Sequence, residues 1–262
     1  MARFSTLCSS SSGNSCYVGT ASEGILIDAG TNNKQLLLSM EKAGVSPDAV
    51  KAVFVTHEHD DHIGALRVFA TKRQVPVYAT GGTLSGLLGK GVLDGKFPFE
   101  KITDEGVAIG DIFISSFSTS HDSKESCGYK IQLPDRAVGI CTDTGIITGD
   151  IIKSLSSCDM VLIESNYDNT MLDFGPYPAS LKARIRSEKG HLSNEACADA
   201  VSQLLHNGVC RFVLGHLSRE NNTPERAFAC TNSALKRMGA ENGVDYVLDV
   251  APVGSMGKYI VF

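Results

Sequence analysis

Residues Thr56 to His62 read T-H-E-H-D-D-H, which sets three imidazoles and three carboxylates in one short loop. Side chains of these two types are ligands for divalent cations. His57 and His59 are two residues apart, so in extended backbone both rings project the same way and reach one ion. Asp61 and His62 follow at a different pitch. They suit a second ion beside the first, as in two-metal sites whose ions lie about 3.5–4 Å apart. The donor mix fits Zn²⁺ or Mn²⁺, and Fe²⁺ as well. The plain alternative is a solvated polar loop, which would leave six polar side chains idle directly behind an apolar strand.

That strand runs through Val50 to Thr56 (V-K-A-V-F-V-T), a β-branched stretch of the kind that is buried in a sheet and aims the loop leaving it. Three more polar candidates follow predicted strands in the same manner: His121 in F-S-T-S-H-D-S, Asp143 in G-I-C-T-D-T-G, and His216 in R-F-V-L-G-H. A lone histidine after a strand is ordinarily a surface residue. A carboxylate at such a turn bridges two cations when each oxygen takes one, so Asp143 favours two ions over one.

H-x-H-x-D-H is also the signature of the metallo-β-lactamase superfamily, and the chain resembles that family. The resemblance implies that His121 completes one metal set with His57 and His59, and that His216 completes a second with Asp61, His62 and Asp143. Antibiotic-degrading members place Cys where Asp143 stands and T-P-G-H-T-type letters near His121; this chain has neither. Glu164 in V-L-I-E-S-N and His191 in K-G-H-L-S-N-E resemble the transfer-RNA 3′-processing (RNase Z) branch, which implies His191 as general acid and Glu164 as its orienting partner. The catalytic candidates are therefore Asp61, His191 and Glu164. The bland reading of His191 is an exposed neighbour of a helix cap at Ser193 or Asn194. Taken together, S-S-S-S-G-N, T-H-E-H-D-D-H-I, E-S-N-Y-D, G-P-Y-P and L-G-H-L-S-R-E-N-N-T-P-E resemble the YycJ/WalJ branch along essentially the whole chain. That branch implies a metal-dependent nuclease with 5′-to-3′ exonuclease action on DNA. Asp60 and Tyr167 depart from its usual letters, Ser and His.

Several residues carry two readings. Asp28 in L-I-D-A-G is either a turn residue before the helix at Asn32 to Ala43 or, by the resemblance, a carboxylate near the metal loop. The loop Ser9 to Asn14 is a flexible turn or, by the resemblance, a rim of the active-site mouth, with Ser12 and Asn14 as substrate contacts. Arg219, Asn221 and Asn222 are candidates for holding backbone phosphates, since arginine takes two phosphate oxygens and amides add directional donors. Lys182, Arg184, Arg186 and Lys189 read as a charged helix face rather than a basic track.

The elements that must position these residues fall into two strand-rich halves. Strands are predicted at Arg3 to Ser9, Ser15 to Thr20, Gly24 to Asp28, Pro76 to Ala79, Ile102 to Ile109, Ile112 to Ser118, Gly128 to Leu133, Ala137 to Cys141, Met160 to Glu164 and Arg211 to Leu214, with two more near Tyr246 and Tyr259. Helices are predicted at Ile63 to Arg73, Thr83 to Leu88, Ile147 to Ser156, Ala179 to Ser187, Asn194 to His206 and Pro224 to Met238. Two sheets face to face with helices on both outer sides follow, an α/β fold that matches the four-layer αβ/βα sandwich of the resembled family. No linker or charge run divides the chain, so residues 1–262 are expected to form one domain.

At 262 residues and 42% apolar, the chain buries a sizeable core. The first residues lack the apolar stretch of a signal peptide and no run approaches a membrane span, which predicts a cytoplasmic protein without a membrane partner. Eight cysteines without a C-x-x-C pair predict reduced thiols. A net charge of -5 gives no overall attraction to nucleic acid, so a DNA substrate must be held by a local patch or by the metals. The predicted chemistry is hydrolysis of phosphodiester bonds with a metal-bridging hydroxide as nucleophile. The alternative is a small-molecule metallohydrolase acting on a cyclic phosphodiester, thioester or lactone; a third reading has the metals only bracing the fold. Oligomeric state is left open.

Overall fold

The structure, a computed structural model, describes residues 2–10, 13–252 and 259–261. Its strands are β1 (Arg3–Ser10), β2 (Gly13–Gly19), β3 (Gly24–Ile27), β4 (Val50–Phe54), β5 (Val77–Ala79), β6 (Phe99–Lys101), β7 (Val107–Ile109), β8 (Ile112–Ser118), β9 (Cys127–Gln132), β10 (Ala137–Cys141), β11 (Met160–Glu164), β12 (Arg211–Gly215), β13 (Val247–Val250) and β14 (Tyr259–Val261). They form two sheets, in the orders β14-β1-β2-β3-β4-β5-β6 and β13-β12-β11-β10-β9-β8-β7. Each sheet is part antiparallel meander and part parallel: β3 to β6 run parallel in the first, β10 to β13 in the second.

The strands read as continuous apolar runs because both faces of each sheet are covered. In β3, Ile25 and Ile27 point between the sheets while Leu26 points outward; in β11, Met160 and Leu162 point in while Val161 and Ile163 point out. The inter-sheet core gathers Phe4, Phe54, Ile114, Tyr129, Ile140 and Val213. Outside the first sheet lie α1 (Asn33–Lys42), α3 (Leu66–Arg73) and α4 (Gly81–Gly89), preceded by the short α2 (Asp60–Ile63). Leu36, Met40, Phe69 and Leu87 seal that layer. Outside the second sheet lie α5 (Gly149–Leu155), α8 (Asn194–His206) and α9 (Pro224–Arg237), which bury Ile151, Leu155, Val201, Leu204 and Leu235. Two further helices, α6 (Asn169–Phe174) and α7 (Ala179–Arg186), sit in the connection from β11 to α8. The predicted four-layer sandwich is thus the observed one.

Two boundaries differ from the sequence reading. Of the expected strand over 102–109 only the last three residues are extended, as β7; β6 ends just before it on the other sheet, and residues 102–106 carry the chain between sheets through a turn with Gly106 at φ 77°. The expected helix from Ile63 to Arg73 is broken at Gly64 and Ala65, which separates α2 from α3. All eight cysteines are free, with Cys210 exposed, Cys230 half-buried and the rest buried. Among the described residues, no helix is long and apolar enough to cross a membrane.

Candidate metal centre

Strands β8, β10, β11 and β12 end at the same edge of the second sheet, and β3 and β4 end at the facing edge of the first. The residues just beyond these ends meet: Asp28 after β3, Thr56 to His62 after β4, His121 after β8, Asp143 after β10 and His216 after β12, with Glu164 closing β11. Crevices at the carboxyl ends of parallel strands are where such folds bind ligands.

Two triads of ligand atoms form, each within 4.8 Å: His57 with His59 and His121, and Asp61 with His62 and His216. The change of pitch has a structural cause, because His59 is the last extended residue before α2 (φ -70°, ψ 149°) and Asp61 and His62 lie on the helix. Asp143 groups with His57 and His62, one member from each triad. Its Oδ2 is 3.1 Å from His62 Nε2, and its Oδ1 is 3.6 Å from both His121 Nε2 and His216 Nε2. The residues expected to hold metal are therefore brought together, with Asp143 between the two sets.

The donors fit a cation. His57 Nε2, His216 Nε2 and Asp143 Oδ2 are buried and make no hydrogen bond, an expensive arrangement unless something else satisfies them. Charge points the same way. Burial resists the charged form of His216, yet Asp143, Asp61 and Glu164 lift its pKa to about 10. Burial likewise opposes ionisation of Asp143, but His216 and His62 hold it well below the usual carboxylate range. Burial and the neighbouring His62 keep His57 far below its ordinary value, hence neutral and able to ligate. Positive charge is thus favoured at His216 and opposed at His57, so the centre combines carboxylates that attract a cation with neutral imidazole able to ligate it.

Behind the ligands lies a set of orienting contacts. Asp28 Oδ2 is 2.7 Å from His62 Nδ1, and the same carboxylate accepts from the Thr56 backbone N–H and hydroxyl at 2.8 Å each. Of its two sequence readings, the position beside the metal loop is the observed one. The approach is close: a Cβ on Gly30 would lie 1.6 Å from the Asp61 carbonyl oxygen. Glu164 Oε1 is 2.7 Å from both His191 Nδ1 and His216 Nδ1. Its Oε2 accepts the backbone N–H groups of Thr144 and Leu192 at 3.1 and 3.2 Å. The carboxylate expected to orient His191 thus orients a second imidazole too. Because these Nδ1 atoms are already bonded, the cluster of Asp143, Glu164, His191 and His216 is a hydrogen-bonded group rather than a further open site.

Other expectations need correction. Asn14 is buried against the centre, with Nδ2 3.1 Å from His62 Nε2 and 3.0 Å from the Ser10 carbonyl, so it does not rim the mouth. Ser12 lies outside the described residues. Asn222 is buried and committed to the Ser165 and Asn166 carbonyls and to Asn194, which removes it from a surface phosphate contact. Asn221 is fully buried as well, while Arg219 is exposed beyond β12. Tyr167, one of the two departures from the branch's letters, is buried with Leu172 and Ile185 in a small core at α6 and α7. The sequence reading missed Ser9, whose hydroxyl accepts the His216 N–H at 2.8 Å, and Asn166, which donates to the His216 carbonyl at 2.8 Å. A serine within a strand and an asparagine in a loop carry no signal of such a role until the sheets are assembled.

Residues 24–217 match the Beta-lactamase superfamily domain. Over 256 residues the chain is 36% identical to the exodeoxyribonuclease WalJ of Streptococcus pneumoniae serotype 2 (strain D39 / NCTC 7466), covering 95% of this chain and 94% of that protein. It is 36% identical over 239 residues to the exodeoxyribonuclease YycJ of Bacillus anthracis, covering 90% of each. The chain belongs to the YycJ/WalJ branch of the metallo-β-lactamase superfamily. The metallo-β-lactamase fold protein YhfI of Bacillus subtilis superposes with a TM-score of 0.74 at 12% identity over 100% of both chains, a likeness of fold alone. Membership and the paired His/Asp clusters together point to divalent-metal binding.

Proposed function

We propose that this member is a phosphodiester hydrolase that holds two divalent ions, Zn²⁺ or Mn²⁺, and degrades DNA from an end. The reading is carried by Asp143, whose carboxylate reaches both triads; near-full-length identity to two exodeoxyribonucleases supports DNA as the substrate class. His57, His59 and His121 would hold one ion and Asp61, His62 and His216 the other, with Asp143 shared. Bound there, divalent ions would make hydroxide available near neutral pH and would neutralise charge on phosphate oxygens.

The chain's own groups do the rest. Glu164 ties His191 through Nδ1, which leaves Nε2 of a side chain 19% exposed, on the cavity wall, to give a proton to the departing oxygen. Asp61, whose side chain is 25% exposed, lines the same cavity, which supports a role in taking the proton of the attacking water. The deep burial of His57 and His62 fixes their rings and keeps bulk solvent away from them.

The test is a panel of linear end-labelled DNA, bis-p-nitrophenyl phosphate and a thioester, each assayed with Mn²⁺ and with Zn²⁺. Progressive shortening of the DNA is the expected result; thioester turnover with both phosphodiesters inert would overturn the reading.

A further inference from the structure

The connection from β11 to α8 folds back over the open end of the centre, and its far end is fastened to the loop that carries His121. His121 Nδ1–H donates to the Gly190 carbonyl at 3.0 Å, and the Asp122 backbone N–H donates to Lys189 at 3.1 Å. Gly190 also lets the chain pack tightly against the end of α7, where a Cβ would lie 2.1 Å from the Ile185 carbonyl oxygen. A third tie comes from a side chain: Arg184 Nε donates to Asp122 Oδ2 at 2.5 Å. With Tyr167, Leu172 and Ile185 forming a core beneath it, α7 is a fixed wall rather than a loose flap.

A cavity of about 220 Å³ lies between this wall and the ligand cluster, with Tyr177, Leu181 and Arg184 on the α7 side. Of the four basic residues between 182 and 189, Arg184 is the one that lines it. Lys182 and Arg186 instead bond to Asp173. Asp122 engages the Arg184 guanidinium at Nε while the side chain stays 55% exposed, so the Nη groups remain for a ligand. An aimed guanidinium beside a ring and an aliphatic side chain matches one nucleotide unit, an anionic phosphate with a flat, partly apolar base and sugar.

We infer that the α7 wall is the subsite for the nucleotide adjoining the bond to be cut, with Arg184 donating to the neighbouring phosphate, Tyr177 and Leu181 packing against the base and sugar, and Asp122 acting as a positioning residue. The inference rests on the nuclease reading of this same centre and adds which residues engage the strand.

Steady-state hydrolysis of a single-stranded oligonucleotide by the metal-loaded full chain tests it, in wild type, Arg184→Ala, Arg184→Lys and Asp122→Asn, over a range of salt. Arg184→Ala should raise KM about 10-fold or more, the scale of a hydrogen bond to a charged group. It should also flatten the slope of log kcat/KM against log salt by about 0.7, one phosphate contact on a single strand. Arg184→Lys keeps the charge and should restore the slope but not KM, since the fork is lost. Asp122→Asn should keep the slope and raise KM severalfold. Bound-metal content and urea midpoint, equal to wild type, certify the folded centre in each variant. An active wild type with unchanged KM and slope in Arg184→Ala refutes the subsite alone; a wild type inert on DNA refutes the nuclease reading and the subsite with it.

Discussion

Replacing Glu164 by Gln is the sharpest probe of the centre, because four donors converge on this one buried carboxylate. His191 Nδ1 and His216 Nδ1 are each 2.7 Å from Oε1, and the Thr144 and Leu192 N–H groups are 3.1 and 3.2 Å from Oε2. Only a group with two accepting oxygens satisfies all four. Burial opposes its charge, but His191 and His216 hold its pKa below the ordinary glutamate value, so it is ionised when it does this. If the glutamine oxygen faces the imidazoles, its NH₂ faces two backbone donors, and two buried N–H groups lose their acceptor at about 1–3 kcal/mol each. The expected loss of stability is then about 2–6 kcal/mol. If the amide flips, both imidazoles must carry their proton on Nε2, which takes His216 Nε2 away from a cation. Loss of such an orienting partner lowers metal affinity or activity by about 10–100-fold. Urea unfolding in metal-free buffer reads the first outcome, and competition with a chromophoric chelator reads the second. A variant with wild-type midpoint and wild-type affinity would refute the assignment of Glu164 as the group that sets both ring tautomers.

Three other perturbations follow from the same geometry. Asp143→Ala removes the carboxylate between the triads and should abolish hydrolysis even at saturating metal; an unchanged rate would mean that the ions only brace the fold. Free metal at 100 times its dissociation constant should stabilise the chain by about 2.7 kcal/mol for each ion bound, a rise in Tm on the order of 5–11 °C per ion for this size; calorimetry with and without chelator checks it. Gly30→Ala drives a Cβ into the Asp61 carbonyl and should cost about 1–3 kcal/mol together with metal affinity, measured by urea unfolding and metal titration.

The sandwich was legible because covering both sheet faces makes every central strand an apolar run, and the runs at 50–56, 137–141, 160–164 and 211–214 appear where expected. The turn from β6 to β7 was not, since alternating letters announce extended chain without saying to which sheet it belongs. At the site, the loop after β4 declares itself by density of donors, and the others by following strands. Asn14 and Asn222 misled for a physical reason: an amide is as good at satisfying buried backbone as at meeting a ligand, and here the fold has buried both, while Asn221 is buried with its amide unpartnered. Arg184 misled the opposite way. Its charged neighbours bond to Asp173, and only the tie to Asp122 separates it from an ordinary helix face.

The backbone at the centre adds a further constraint. Asp28, Asp143 and His216 have φ of 60°, 55° and 55°, three of the four positive-φ residues other than glycine among those described. Each such residue costs about 1–3 kcal/mol and persists only where its surroundings over-determine it. Each here is so held: Asp28 by Thr56 and His62, His216 by Ser9, Asn166 and Glu164, and Asp143 within the electrostatic field of His216 and His62. Glycine would relax the turn but carries no donor, whereas an aspartate or histidine in that conformation turns its side chain into the cleft immediately at the strand end. Metal-free protein would bear this strain together with the unpartnered, buried His57 Nε2, His216 Nε2 and Asp143 Oδ2 of the centre. Cation binding would offset both, so chelation should lower stability as well as activity.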